Sequence, residues 1–414
     1  MRSQAIPNGR FSMKKLFEFL WRRKFLLFLL LGGFLLFLAN GIVSRIDYRN
    51  NDFFTFWLAG HMVWTGQAQY QANEWISGHN QFGVTWIPNN QFVYPLPLAL
   101  IYAPLGLLDL RNAFILWDSL SEAMILFSVF GLISFQAEPI KKHYLILIFA
   151  GAILFRPTLV TLFYGQISSL LLFILTGVLL LWRKEKWLLG GMVLPLVALK
   201  PNLGIPILIL ISFWLLIQKR FLSLAGMAIS AVVLVLIGML LDKNWIIEYL
   251  AIGNTKMSQT FGFSPTIWGL SAYLSDFKLT GTIILGGIVT AALLIGVFYF
   301  LGQKRRPIDS PLWAMSIAIA TTLLITPYTW PYDQLLLFIP IISIVMELMA
   351  RKFPNLLASI TFLFLDVIVF IFLKVSADLQ LEILNAVIPL IVLTATLFFV
   401  APIRAKKLSL PNST

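Results

Sequence analysis

Cysteine is absent from the 414-residue chain, and histidine occurs only three times, as His61, His79 and His143. The first absence excludes disulfides and thiolate metal sites, and so little imidazole leaves scant material for a histidine-based metal centre. No metal and no other cofactor is therefore expected. Charge is sparse as well: Asp, Glu, Lys and Arg make up 12% of the residues, against roughly 25% in soluble globular domains. No Walker loop, no GxGxxG after a strand, no HExxH and no GxSxG elbow occurs, so ATP-driven transport and metalloprotease chemistry lack their parts.

What fills the chain is apolar, with 59% hydrophobic residues and a mean hydropathy of +0.87. A soluble fold of this length has nowhere to bury so much. The sequence predicts an all-α, polytopic integral membrane protein. The formal charge of +13 fits that reading, because the Lys and Arg sit mainly in short loops, the bias expected of cytoplasmic connections. No basic patch interleaves with exposed aromatics, as nucleic-acid binding requires. The lipid bilayer is the expected partner, and nucleic acid is not.

The same bias orders the segments. Residues 1–24 carry Arg2, Arg10, Lys14, Lys15, Arg22, Arg23 and Lys24 against Glu18 alone, which predicts a basic, cytoplasmic N-terminus. The apolar run 25–43 has no small-x-small cleavage pattern after it and reads as a retained first span. Further runs lie near 112–135, 143–164, 166–182, 187–200, 202–217, 221–241, 281–301, 311–327, 331–350, 355–374 and 381–402. They predict about 12 transmembrane helices in one domain over 25–402, with 403–414 as a cytoplasmic tail. The run 95–108 is short and broken by Pro95, Pro97 and Pro104, so it reads as a re-entrant or partial helix.

On this topology the outer face gathers a partly helical loop over 44–94, a second loop over 242–280, and the turns near Gly165, Lys200 and 326–333. Within the first loop, 52–65 reads as a helix lying in or against the membrane interface. Irregular, aromatic sequence collected on one face marks the face that works.

Three charged residues stand out. Asp52 is either a helix N-cap together with Asn51 or a partly desolvated general base. Lys200, which ends an apolar run at Pro201, either snorkels to the interface or holds a phosphate. Arg156 falls inside a predicted span, where a guanidinium needs a phosphate or an ion-pair partner such as Asp118 or Glu122. Asp366, with Lys374 eight residues later, needs a partner for the same reason. Asp47 and Asp333 read by default as solvated loop carboxylates, and Trp268, Tyr273 and Asp276 are candidates for shaping an acceptor site.

Four segments, in this order, carry a resemblance to a known family. They are Asp52-Phe53-Phe54-Thr55-Phe56 with Gly66 and Tyr70; Tyr94-Pro95-Leu96-Pro97-Leu98 with Pro104-Leu105; Gly165-Gln166, Gly190-Gly191 and Ala198-Leu199-Lys200-Pro201; and Thr326-Pro327-Tyr328-Thr329-Trp330. So arranged, the chain resembles glycosyltransferase family 87, within the GT-C membrane glycosyltransferases, a family with polyprenol-phosphate-mannose-dependent alpha-mannosyltransferases among its members. The resemblance implies a GT-C-type fold and transfer of a hexose, mannose in those members, from a polyprenyl-phosphate donor to a glycolipid or surface-glycan hydroxyl. Transfer would occur with inversion at the outer face of a prokaryotic plasma membrane. It also implies Asp52 as the catalytic base and Lys200 beside the donor phosphate. Arg156 joins Lys200 as a candidate phosphate contact, and Tyr94, Gln166, Trp330, Tyr332 and Asp333 are candidate substrate contacts. Family members often carry histidines where this chain has Tyr332-Asp333. Either these two residues substitute, or sugar and acceptor differ from the mannose case. A lipid or glycolipid transporter, with Lys200 and Arg156 lining a headgroup path, and a non-catalytic scaffold are the rival readings.

Overall fold

A computed structural model describes residues 29–136, 140–303, 310–351, 353–379 and 381–400. The predicted cytoplasmic ends 1–24 and 403–414, and the basic run Lys304-Arg305-Arg306, lie outside the described residues. Among those described there is no strand. The helices are α1 (Leu29–Val43), α2 (Asp52–Thr65), α3 (Ala72–Gln81), α4 (Pro97–Tyr102), α5 (Leu110–Ile133), α6 (Lys142–Leu154), α7 (Arg156–Phe163), α8 (Ser168–Arg183) and α9 (Trp187–Val193). They continue with α10 (Pro201–Ile217), α11 (Phe221–Leu241), α12 (Trp245–Thr260), α13 (Ile267–Leu274), α14 (Leu279–Gly302), α15 (Pro311–Ile325), α16 (Phe338–Ala350), α17 (Asn355–Leu379) and α18 (Val387–Val400). Short 3-10 turns at Leu194–Leu199, Pro331–Leu337 and Glu382–Ala386 lead into α10, α16 and α18.

Among the described residues, six helices are long and apolar enough to cross a membrane, or seven if the bent pair α6–α7 counts as one span. Five further apolar helices are shorter, between 10 and 17 residues. The predicted single span 143–164 is in fact broken: α6 and α7 meet at an angle of 50°. Phe155 adopts φ −57°, ψ 116° at the junction, and Pro157 follows Arg156, which a continuous helix would not accommodate. Thr158 Oγ1 donates back to Ala152 O at 2.7 Å, satisfying a carbonyl that the break would otherwise orphan.

Two hydrophobic clusters hold the molecule together. The larger is built chiefly from α5, α8, α10, α15, α16 and α17, with Trp182, Trp214, Phe338 and Phe362 fully buried. The smaller belongs to the loop segments, where Phe53, Phe54, Phe56, Trp57, Trp75, Phe92 and Tyr102 pack with Phe114 and Trp117 of α5. Helix α2 differs in one respect from the predicted interfacial helix. Residues 53–60 are all buried, and only its last turn opens outward, at Trp64 and Thr65. The helix is walled in by α4 and the chain behind it, so closely that Gly60 lies against the backbone of Tyr102 and Ala103, where any side chain would collide. Burying aromatics of this size contributes about 1.5–3 kcal/mol each, which is what holds a 50-residue loop segment rigid over the membrane helices.

Asp366 on α17 is 4% exposed with both carboxylate oxygens unpaired, and Lys374 is exposed. Eight residues put about 12 Å of helix rise between them, so Lys374 is not the partner that Asp366 needs.

Candidate active site

The site is built where α2, α7, α8 and α10 begin and the chain 326–333 turns. Asn51, in extended conformation, caps α2 by accepting from Phe53 N at 3.1 Å, while its amide donates to Phe163 O at 2.9 Å. The cap is therefore Asn51, and Asp52 is the first helical residue, where the helix dipole favours an anion. Asp52 Oδ2 accepts from Gln166 Nε2 at 2.6 Å. Gln166 is itself fixed, because its N–H bonds Thr161 O at 2.9 Å and the preceding Gly165 sits at φ +58°. Trp117 Nε1 donates to Gly165 O at 2.9 Å, so the carboxylate is aligned from two helices and a turn.

Lys200 lies in the joint between the 3-10 turn and α10, with Pro201 starting the helix. It is only 3% exposed, and its ammonium pairs with Asp333 Oδ1 at 2.5 Å and stands 4.5 Å from the centre of the Tyr332 ring. Asp333 is fully buried and also accepts from Ser168 Oγ at 3.1 Å, Thr329 Oγ1 at 3.1 Å and Trp330 N at 3.0 Å. Of the two alternatives for Lys200, burial speaks against snorkelling, and the solvated default for Asp333 is corrected. A buried charge persists only when paired and hydrogen-bonded, and here each supplies the other's partner.

Arg156 opens α7 at the break, half-buried. It makes no ion pair within 4.0 Å among the described residues. The suggested partners Asp118 and Glu122 are buried on α5, with both oxygens of Asp118 and Oε2 of Glu122 unpaired. The acid whose charge reaches Arg156 is Glu382, which is exposed.

These residues line one cavity of about 410 Å³, within the usual range of small-molecule sites. Seven of the eight residues singled out from the sequence face it: Asp52, Tyr94, Arg156, Gln166, Lys200, Trp330 and Tyr332. The eighth, Asp333, stands one layer behind Lys200. Tyr94 is positioned by Tyr70, whose hydroxyl donates to Tyr94 O at 2.7 Å. Burial, and then the charge of Asp52, push the Tyr94 phenol well above its usual value. Burial, and then Asp333, push Tyr328 up to about 12. Asn202 donates to Tyr328 O at 2.9 Å and accepts from Thr326 Oγ1 at 2.6 Å through its carbonyl, tying the turn 326–330 to α10.

Other candidates lie elsewhere. Asp47 is exposed and closes its own turn, accepting from Asn50 Nδ2 at 2.7 Å and Arg49 N at 3.1 Å; the Asn50 side chain, first of several hydrogen bonds, holds its carboxyl below the usual range. Trp268 donates to Ile325 O at 2.8 Å as a packing contact, and Tyr273 and Asp276 are exposed away from the cavity. The cavity also takes in Trp86, Asn89, Asn202 and Glu382, which sequence reasoning had not assigned. Asn202 could have been found as the neighbour of Lys200-Pro201, whereas Trp86 and Asn89 sit in a stretch with no periodicity. Among the described residues, no group of three or more His, Asp or Glu could hold a metal ion.

Chemically, the cavity sets a carboxylate held by an amide against a wall bearing two cations, with aromatic faces between them. A family model described as glycosyltransferase family 87 matches residues 92–327, which is more than half of the chain. The match includes Tyr94, Arg156, Gln166 and Lys200, begins after Asp52 and stops short of Trp330 to Asp333. No curated protein and no solved structure matches the chain. The helices apolar enough to cross a bilayer and the family match together make this a membrane glycosyltransferase: the chain belongs to glycosyltransferase family 87.

Proposed function

We propose that the protein transfers a hexose from a polyprenyl-phosphate donor to a hydroxyl of a glycolipid or surface glycan, with mannose as the first donor sugar to test. Asp52 is the general base. As the acceptor oxygen attacks the anomeric carbon, its proton passes to the Asp52 carboxylate. The bond from that carbon to the phosphate oxygen breaks, and the electron pair leaves on the phosphate. Attack opposite the leaving group inverts the anomeric centre. A phosphate is already a good leaving group, so one carboxylate suffices, contributing about 10²–10⁴-fold as a positioned base. Arg156 and Lys200 form the side of the cavity suited to the phosphate, and Tyr94, Gln166, Trp330 and Tyr332 the side suited to sugar and acceptor.

The observation that carries this reading is the meeting of Asp52 with Arg156 and Lys200 in a single cavity, although the three are far apart in the chain. The fold supports a one-sided enzyme. α8 starts at the cavity, where Ser168 bonds Asp333, and ends at Arg183, so the basic residues Arg183, Lys184, Lys186 and Arg220 gather about 22 Å away. With the five shorter apolar helices also crossing, the chain has about 12 spans in a GT-C-type arrangement, with the cavity at the outer face of a prokaryotic plasma membrane and both termini inside.

The test is transfer by the purified protein in lipid, supplied with labelled polyprenyl-phosphate mannose, glucose or arabinose and a membrane-lipid extract. Wild type should transfer from one donor, and a folded Asp52→Asn should lose at least about 100-fold. Equal transfer by both would remove Asp52 from the role of base. No transfer from any donor, with lipid crossing the bilayer instead, would replace the enzyme reading by the transporter.

A further inference from the structure

The two cations of the cavity are not equivalent. Lys200 and Asp333 stand 2.5 Å apart, both almost wholly buried, and together carry no net charge. The carboxylate cannot swing away, because Ser168, Thr329 and the Trp330 N–H all donate to it within 3.1 Å. Arg156 has no such partner within 4.0 Å among the described residues, and Glu382, the acid within its field, is exposed and screened by solvent. An anion entering the cavity therefore meets one cation with no direct ion pair, Arg156, and one that is paired directly, Lys200.

Phosphate chemistry gives that asymmetry a use, on the reading above that the donor is a polyprenyl-phosphate sugar. The donor is a phosphodiester with a single negative charge. The spent lipid is a phosphate monoester, which carries about −1.5 to −2 at pH 7. Two uncompensated cations would hold the product more tightly than the donor, and the enzyme would stall on its own product. We propose that Asp333 acts as the counter-charge of Lys200 that lets the spent polyprenyl phosphate leave, while Arg156 supplies the attraction for the donor phosphate. Asp333 is thus a positioning residue that touches Lys200 and not the substrate. Its place one layer behind the cavity wall lets it offset the charge of Lys200 without touching the donor phosphate.

The experiment uses the full chain in lipid with a short-chain polyprenyl phosphate that bears no sugar, measuring both its binding and its inhibition of transfer. Asp333→Asn keeps one oxygen, which can still accept from Thr329 Oγ1 and the Trp330 N–H, and removes the counter-charge. It should bind the sugarless phosphate about tenfold more tightly, with a steeper dependence on salt and a smaller change in KM for the donor. Arg156→Gln should weaken the same binding by about tenfold or more. A folded Asp333→Asn whose product binding is unchanged or weaker overturns the proposal, and a purely structural role for Asp333 predicts that outcome. If Asp333→Asn does not fold, Arg156→Gln decides: a loss below about threefold means that Lys200 holds the phosphate and the proposal falls. A wild-type protein that neither binds the sugarless phosphate nor transfers from any polyprenyl-phosphate sugar removes the donor reading, and this proposal with it. Wild-type transfer with unaltered product inhibition in Asp333→Asn removes this proposal alone.

Discussion

Gly165 offers the sharpest test of how the site is held. Its φ of +58° is comfortable for glycine and costs an alanine about 1 kcal/mol. A Cβ there would also sit 2.7 Å from Phe114 Cε2 and 2.7 Å from Phe53 Cβ. Carbon atoms rest about 3.5–4.0 Å apart, so one of these aromatics or the turn itself must give by about 1 Å. Overpacking of that kind costs about 1–3 kcal/mol, which with the backbone term makes Gly165→Ala destabilising by about 2–4 kcal/mol. The displaced atoms adjoin the proposed base and the amide that holds it, since Phe53 follows Asp52 and Gln166 follows Gly165. A 1 Å misplacement of a catalytic group costs on the order of 100-fold in rate. The assay has two parts: thermal unfolding in detergent followed by tryptophan fluorescence, and transfer measured well below the midpoint. Gly287→Ala is the control, because its Cβ meets nothing within 4 Å and φ is not in the left-handed region; it should be neutral or slightly stabilising. An unchanged midpoint for Gly165→Ala, or transfer within about threefold of wild type, would refute the claim that this turn aligns Gln166 with Asp52.

Three further outcomes are expected. Lys200→Met leaves Asp333 buried without its counter-charge, so it should destabilise by about 3–5 kcal/mol, and combining it with Asp333→Leu should recover much of the loss; equal stability of the two variants in thermal unfolding would argue against the pair. Asn51→Ala removes the cap of α2 and the bond to Phe163 O, at about 1–2 kcal/mol, read as a lower unfolding midpoint. Asp47, whose carboxyl is held below its ordinary 3.8, keeps its turn closed at and above that value and opens only as pH falls through its lowered value, releasing Asn50 from Trp86 N; a Trp86 fluorescence change on acidification should vanish in Asp47→Asn, and its persistence would exclude this link.

The parts legible in the sequence were those that local chemistry dictates. Helix α2 spans Asp52–Thr65, between an Asn that caps it and Gly66 at φ 70°. Apolar runs became helices, and α4 is limited to six residues between Pro97, which begins it, and Pro104, which lies two residues past its end. The bend at Phe155 escaped notice because a single Pro157 inside an apolar run is compatible with a kinked span as well as with a break. Glu382 escaped because it lies where the last apolar run was taken to begin, with no neighbour to mark it.

The depth of Lys200 and Asp333 could not be read locally at all. Lys200 precedes Pro201 at the end of one apolar run and Asp333 follows Pro331 by two residues at the start of another, and both patterns belong equally to a solvated turn. What decides between turn and buried pair is a partner 133 residues away. Hydrophobic periodicity reports which face of a helix is apolar, and says nothing about which polar groups meet once the helices pack. The order of the four family segments supplied the missing long-range information, because segments kept in one order by one family are the segments that one fold brings together. Its power is uneven. It brought Asp52, Gln166, Lys200 and Trp330 to one cavity, yet it left Asp333 looking like one more substrate contact. The atoms around that carboxylate, donors from Ser168, Lys200, Thr329 and Trp330 that use both of its oxygens, are what distinguish it from a residue facing the cavity.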